Sequence, residues 1–267
     1  MASPSRLRLE IRSPAARLTL NRPEVRNAFD DALIGELREA LEKVRTAYEG
    51  SPEKAPRALV LTGEGQAFCA GADMNWMRRS VAYTREENES DARSMAAVLR
   101  SLDELPLPTI ARVNGACLGG GMGLLACCDV GIASDRAQFG FTEARLGIAP
   151  AVISAFVLPK IGASAARRYF LTAELFGPAE AKEMGVVHEV VPAAELDASV
   201  DRFVSALAGN GPRAVSAAKQ LIREALTRTR TDTIENAVRA IAGLRASPEG
   251  QEGLGAFLEK RSPSWKR

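Results

Sequence analysis

Apolar and polar side chains alternate over the first stretch of the chain. RLRLEIR (6–12) and ARLTLN (16–21) both carry the two-residue period of half-buried strands, the first of an edge or antiparallel kind, and Ser13-Pro14 marks a turn between them. The period then changes. Leu33, Ile34, Leu37, Leu41 and Val44 recur at helical spacing within 30–49, behind Asp30 as a candidate N-cap. APRALVLTG (55–63) predicts a buried strand ending in a glycine turn. Residues 84–104 predict a long helix in which Thr84 and Glu87 have the spacing of a capping box. PTIARVNG (108–115) predicts a further strand, and the glycine-rich run 119–123 then opens a short apolar helix. DVGIAS (129–134) and AQFGF (137–141) predict short strands, and GVVHEVV (185–191) is a strand-like apolar run.

Strands and helices alternate to about residue 192, which predicts an α/β core over 1–192. From Ala193 strand signals stop. Helical periods cover 194–208, 212–227, 231–245 and 248–260, punctuated by Asn210-Gly211-Pro212 and Ser247-Pro248. Residues 193–267 are then either a small helical domain or an arm that packs on another subunit. Hydrophobic residues at 46% and charged residues at 25% of 267 are the balance of a soluble globular protein. A net charge of +2 is too small to imply a nucleic-acid or membrane partner. No apolar run approaches the roughly 18 residues of a transmembrane helix, and MASPSRLRLE has no apolar leader core. Cys69, Cys117, Cys127 and Cys128 sit among small apolar residues without metal-ligand spacing, so buried reduced thiols in a cytoplasmic protein are expected. One histidine, His188, excludes a multi-histidine metal site, and its apolar setting points to a partly buried strand residue. No metal is expected.

Two loops join a buried strand to a helix start through small residues. They are Gly65–Asp73 (GQAFCAGAD) and Asn114–Gly123 (NGACLGGGMG). Small residues let a ligand approach the backbone, and N–H groups at a helix start are free to donate. Two such groups aimed at one oxygen make an oxyanion hole. GMGLLA (121–126) also fits a dinucleotide pattern, but the preceding strand ends near Val113 and Asp129 comes too early for the ribose acid that the pattern requires about 20 residues on.

The chain resembles the enoyl-CoA hydratase/isomerase (crotonase) family from end to end. NRPEVRNAF (21–29), GQAFCAGADM (65–74), the segment 108–134, FGFTEARLGIAPA (139–151), AKEMGVVHEVV (181–191) and FLEKRSPSW (257–265) carry the likeness, in the family's order. The resemblance implies a spiral of ββα turns followed by a helical region that assembles trimers, often paired into hexamers. It implies coenzyme A thioesters as substrates and no cofactor beyond the coenzyme A they carry. It maps two oxyanion-hole donors onto the backbone N–H groups of Ala72 and Gly120, with Ala70, Asp73 and Gly119 shaping the site. Hydratases of the family use two glutamates. The second maps onto Glu143, whereas the first falls on Gly123.

A lone glutamate suits a hydratase that finds help elsewhere, and equally a Δ3,Δ2-enoyl-CoA isomerase, which needs one base to move a proton. A non-catalytic acyl-CoA binder would be expected to lack Glu143 too. Residues 123–176, with their APAVIS segment, resemble bacterial methylglutaconyl-CoA hydratases, which implies interconversion of 3-methylglutaconyl-CoA and 3-hydroxy-3-methylglutaryl-CoA. The distal carboxylate of that substrate could share work at the water, oriented by Arg78 or Arg79. Arg22, Arg26 and Lys260 are candidates for the phosphates of coenzyme A, with Lys260 able to come from a neighbouring subunit.

Overall fold

The computed structural model describes residues 5–52 and 54–266, so the first four residues of the amino-terminal segment lie outside the described residues. A six-stranded sheet runs in the order β1 (Leu7–Glu10), β2 (Ala15–Leu20), β3 (Ala58–Gly63), β5 (Thr109–Val113), β7 (Val130–Ser134) and β10 (Glu189–Val191). The edge pair β1–β2 is antiparallel and every other pair is parallel. A smaller sheet pairs β4 (Ala67–Cys69), β6 (Ala116–Leu118) and β8 (Phe139–Gly140) in parallel and closes with antiparallel β9 (Leu175–Phe176).

The chain visits the two sheets in turn and then crosses back through helix. β3 and β4 lead into α2 (Met74–Ser80) and α3 (Arg85–Asp103); β5 and β6 lead into α4 (Gly120–Cys127); β7 and β8 lead into α5 (Ala151–Thr172). This repetition is the spiral of ββα turns, and it stacks the β4, β6 and β8 ends of successive turns beside one another.

Local chemistry explains the larger elements. Asp30 caps α1 (Asp31–Gly50) by accepting the Leu33 N–H, and the spaced residues Leu33, Leu37, Leu41 and Val44 are buried. Thr84 and Glu87 exchange both bonds of a capping box at the start of α3. β3 reads as a continuous apolar run because it is covered on both faces. Leu59 and Leu61 enter the main core, while Ala58 and Val60 meet Leu196, Val200 and Val204 of α7 (Leu196–Ala208). α7 therefore covers the outer face of the large sheet, and a two-pronged Arg112–Asp197 pair (2.8 and 3.0 Å) fixes it there.

Beyond α6 (Pro178–Glu183) and α7, helices α8 (Pro212–Ala225), α9 (Arg230–Ala246) and α10 (Pro248–Leu258) complete the chain. Lys219 of α8 is buried and reaches Asp129 Oδ2 at 2.8 Å, which also accepts the Thr109 N–H. Outward-facing Ile222, Leu226, Ile234, Val238, Phe257 and Leu258 remain exposed, the last two at 81% and 79%. His188 sits just before β10, where its Nδ1 accepts the Gly131 N–H at 3.0 Å. Burial, and then the nearby Lys160, hold its pKa below the usual histidine range. No helix among the described residues is long and apolar enough to cross a membrane.

Candidate active site

The first loop leaves β4 at Cys69 and enters α2 at Met74. It is pinned by a parallel bridge. The Phe29 N–H donates to Gly71 O and the Asp73 N–H donates to Phe29 O, both at 2.7 Å. In such a bridge the flanking residues bond, so the N–H of Ala72 between them is left out of the pairing, and Ala72 is exposed. Asp73 caps α2 by accepting the Asn75 and Trp76 N–H groups. Burial alone would raise its carboxyl, but those two N–H groups and the Arg22 guanidinium outweigh burial and hold the pKa below the usual carboxylate range.

The second loop leaves β6 and turns sharply at Gly119 (φ 50°, ψ −119°), in the left-handed half of the map that glycine tolerates. The Gly119 N–H donates to Gly140 O at 3.0 Å. Gly120 is the first residue of α4, where an N–H has no acceptor inside the helix and lies at the positive end of the helix dipole.

Glu143 opens a short 3-10 turn, Glu143–Leu146, directly after β8. A Cβ placed on Gly119 would lie 3.3 Å from Glu143 Oε1 and 3.8 Å from the Gly71 Cα, so one point touches both loops and the carboxylate. Oε2 of Glu143 is buried and has no hydrogen-bond partner among the described residues. Burial raises the carboxyl pKa above its ordinary value, opposed only by the residue's own backbone N–H. A carboxylate with a free oxygen and a raised pKa is suited to taking and returning a proton. The nearby Cys69 is no rival nucleophile: burial pushes its thiol up to about 12. Among the described residues no group of three or more His, Cys, Asp and Glu side chains is placed to hold a metal ion.

The sequence profile of enoyl-CoA hydratase/isomerase matches residues 10–267. The chain belongs to the enoyl-CoA hydratase/isomerase family. It is 32% identical to a putative enoyl-CoA hydratase of Thermus thermophilus, over 91% of this chain and 94% of that one. It is 33% identical to the 2,3-dehydroadipyl-CoA hydratase of Escherichia coli, over 93% and 94%. The solved structure of Pseudomonas aeruginosa AtuE superposes with a TM-score of 0.93 at 38% identity, covering 98% of this chain and all (100%) of that one. The substrates are accordingly acyl-CoA thioesters, and the fold is the family's.

In this hydratase/isomerase the remaining sequence candidates scatter. Gly123 is buried within α4, and a Cβ there would lie 2.5 Å from Ile153 Cγ2 and 3.3 Å from Leu99 Cδ1. Ile153 therefore fills the space that a side chain at position 123 would need. Ala70 donates its N–H to Arg26 O, and Arg26 itself is an exposed residue with left-handed backbone (φ 53°). Arg22 does not face solvent: its guanidinium is committed to Asp73, Asp30 and the Ala28 carbonyl. Arg78 and Arg79 lie exposed on α2, Arg78 on Asn75 Oδ1 and Arg79 on Asp31, each at 2.8 Å. Lys260 is exposed in the turn after α10, and among the described residues no hydrogen bond or ion pair joins its side chain to either loop.

Two residues of the site carry no mark in the sequence pattern. Asn27 is fully buried and donates to the carbonyls of Glu64 and Ala67, locking the NRPEVRNAF segment under the first loop. Ile153 belongs to APAVIS, which gives no hint of its partner at Gly123.

Proposed function

We propose that this enzyme is a hydro-lyase for a short branched enoyl-CoA that carries a second carboxylate, interconverting 3-methylglutaconyl-CoA and 3-hydroxy-3-methylglutaryl-CoA. Two observations support this reading: Glu143 Oε2 is buried without a hydrogen-bond partner among the described residues, and Ile153 fills the space that a side chain at position 123 would need. A two-carboxylate division of labour inside the protein has no second member there, and the substrate's own carboxylate can supply it. The likeness of 123–176 to methylglutaconyl-CoA hydratases supports the choice, as does a relative named for a dicarboxylic substrate, 2,3-dehydroadipyl-CoA.

In this mechanism the N–H groups of Ala72 and Gly120 receive the thioester oxygen. Each such donor is worth about 3–4 kcal/mol when charge develops on that oxygen. In hydration, Glu143 takes a proton from water as the water oxygen bonds to the β-carbon. The C=C pair moves into the thioester, giving an enolate whose oxygen sits in the hole. Glu143 then returns the proton to the α-carbon and is regenerated. Dehydration runs the same steps backwards, so no net proton stays on the protein. The distal carboxylate accepts a hydrogen bond from the attacking water or the leaving hydroxyl, and Arg78, exposed on α2 with no carboxylate partner among the described residues, is our candidate to orient it. Arg26 and Lys260 remain the candidates for the phosphates of coenzyme A. The exposed apolar face of α8–α10 supports assembly into a homotrimer or hexamer.

The second reading is a Δ3,Δ2-enoyl-CoA isomerase, favoured by the same single carboxylate, which would carry a proton between the α and γ carbons. The test is a side-by-side assay of crotonyl-CoA, 3-methylglutaconyl-CoA and a 3-enoyl-CoA, each with Glu143→Ala as control. Preference for the methylglutaconyl thioester, lost in the variant, supports the hydro-lyase. Preference for the 3-enoyl thioester replaces it with the isomerase.

A further inference from the structure

We propose that Arg22 is a positioning residue that holds the Ala72 N–H on the thioester oxygen, by clamping the segment 28–30 against Asp73. The proposal rests on the reading of Ala72 as an oxyanion donor. Arg22 Nη2 lies 2.8 Å from Asp73 Oδ2 and 3.2 Å from Asp30 Oδ2, and Nη1 donates to Ala28 O at 2.6 Å. The side chains are 12%, 5% and 10% exposed for Arg22, Asp73 and Asp30. These two carboxylates are also the N-caps of α2 and α1. The guanidinium thus joins two helix starts, and the bridge from Phe29 to Gly71 and Asp73 runs between them, with Ala72 at its centre.

Charge and shape both require arginine here. Asp30 and Asp73 share the Arg22 guanidinium in a partly dry setting. Arg6 reaches Asp30 at 3.1 Å, and Arg22 is the cation paired to Asp73 among the described residues. Without the guanidinium, Asp73 would seek water or another donor, and the loop that carries Ala72 would follow it. A planar fork serves three acceptors in fixed directions, which the compact ammonium of lysine cannot do.

The test uses the full-length enzyme with Arg22→Gln and Arg22→Lys, and Asp73→Asn as a second route should either arginine variant fold poorly. Kinetics are measured on an enoyl-CoA and on the matching pantetheine thioester, which lacks the nucleotide phosphates. Carbonyl polarisation is read from the red shift of an aryl-conjugated enoyl-CoA on binding. The expected result is a fall in kcat of about 10²-fold in Arg22→Gln, as for loss of one oxyanion donor. KM stays within roughly 3-fold, since an interaction made in the transition state is lost. The fall is equal on both thioesters, the red shift shrinks, and Arg22→Lys recovers only part of each. A rise in KM confined to the coenzyme A thioester would make Arg22 a phosphate contact and overturn the proposal. Unchanged kcat per folded enzyme, with only a lower Tm, would overturn it as well. A wild-type protein that gives neither turnover nor a red shift would instead remove the functional reading beneath it.

Discussion

Replacing Gly123 by alanine tests whether the place of a second catalytic side chain is truly filled. The added Cβ would stand 2.5 Å from Ile153 Cγ2 and 3.2 Å from its Cβ. Carbon atoms settle at about 3.5–4.0 Å, so the overlap with Cγ2 is about 1 Å, and Ile153 is a core residue with little room to move. Overpacking of this kind destabilises by about 1–3 kcal/mol, and alanine recovers about 0.5–1 kcal/mol of helix propensity over glycine. The net expectation for Gly123→Ala is a loss of roughly 0–2.5 kcal/mol. Ile153→Ala alone should lose about 2–5 kcal/mol through its cavity. Together the two changes should lose less than their sum by roughly 1–3 kcal/mol, because removing Cγ2 makes the room that the added methyl at position 123 needs. Urea unfolding at fixed protein concentration measures all four corners of the cycle. Additivity within about 0.5 kcal/mol would refute the reasoning. The same geometry predicts that Gly123→Glu lowers hydration activity unless Ile153 is trimmed with it.

Other expectations follow from the charged groups. Lys219→Met should lower stability by roughly 2–4 kcal/mol, short of the fully buried case because Asp129 is one-third exposed, and urea unfolding would show it. The Glu143 pKa is raised by burial, so the acid limb of kcat/KM for hydration, where the carboxylate must be ionised, should fall above the ordinary glutamate value and vanish in Glu143→Gln. The folded pKa of His188 is depressed, so its contribution to stability is present above the unfolded value of about 6.5 and is lost as pH falls through the folded value. Melting temperatures measured across that range should be less pH-dependent in His188→Gln.

How far the sequence foretells this arrangement depends on how local each signal is. The capping box at Thr84 and the buried run of β3 are legible because each is written in consecutive residues. β4 and β6 read as loop in the sequence. Each is only three residues long, too short to show a period, and is made strand by neighbours such as Ala116 opposite Ala67 and Phe139 opposite Cys117. The helix α5 (Ala151–Thr172) is not legible locally, because Pro159 and the left-handed Gly162 interrupt its period. Glu143 is silent in local pattern and is picked out through family resemblance, yet its lack of a partner is visible only in three dimensions. Arg22 reads as a free cation for phosphate because Asp73, its partner, is 51 residues away.

The central claim is that the substrate's distal carboxylate does the work of the second catalytic carboxylate. Its most direct test compares kcat/KM for 3-methylglutaconyl-CoA with that for its distal methyl ester, with Glu143→Ala run alongside. The account predicts that the ester loses about 10²–10⁴-fold, the contribution of a general acid or base, and that the variant is inactive on both. Equal turnover of acid and ester by the wild type would contradict it.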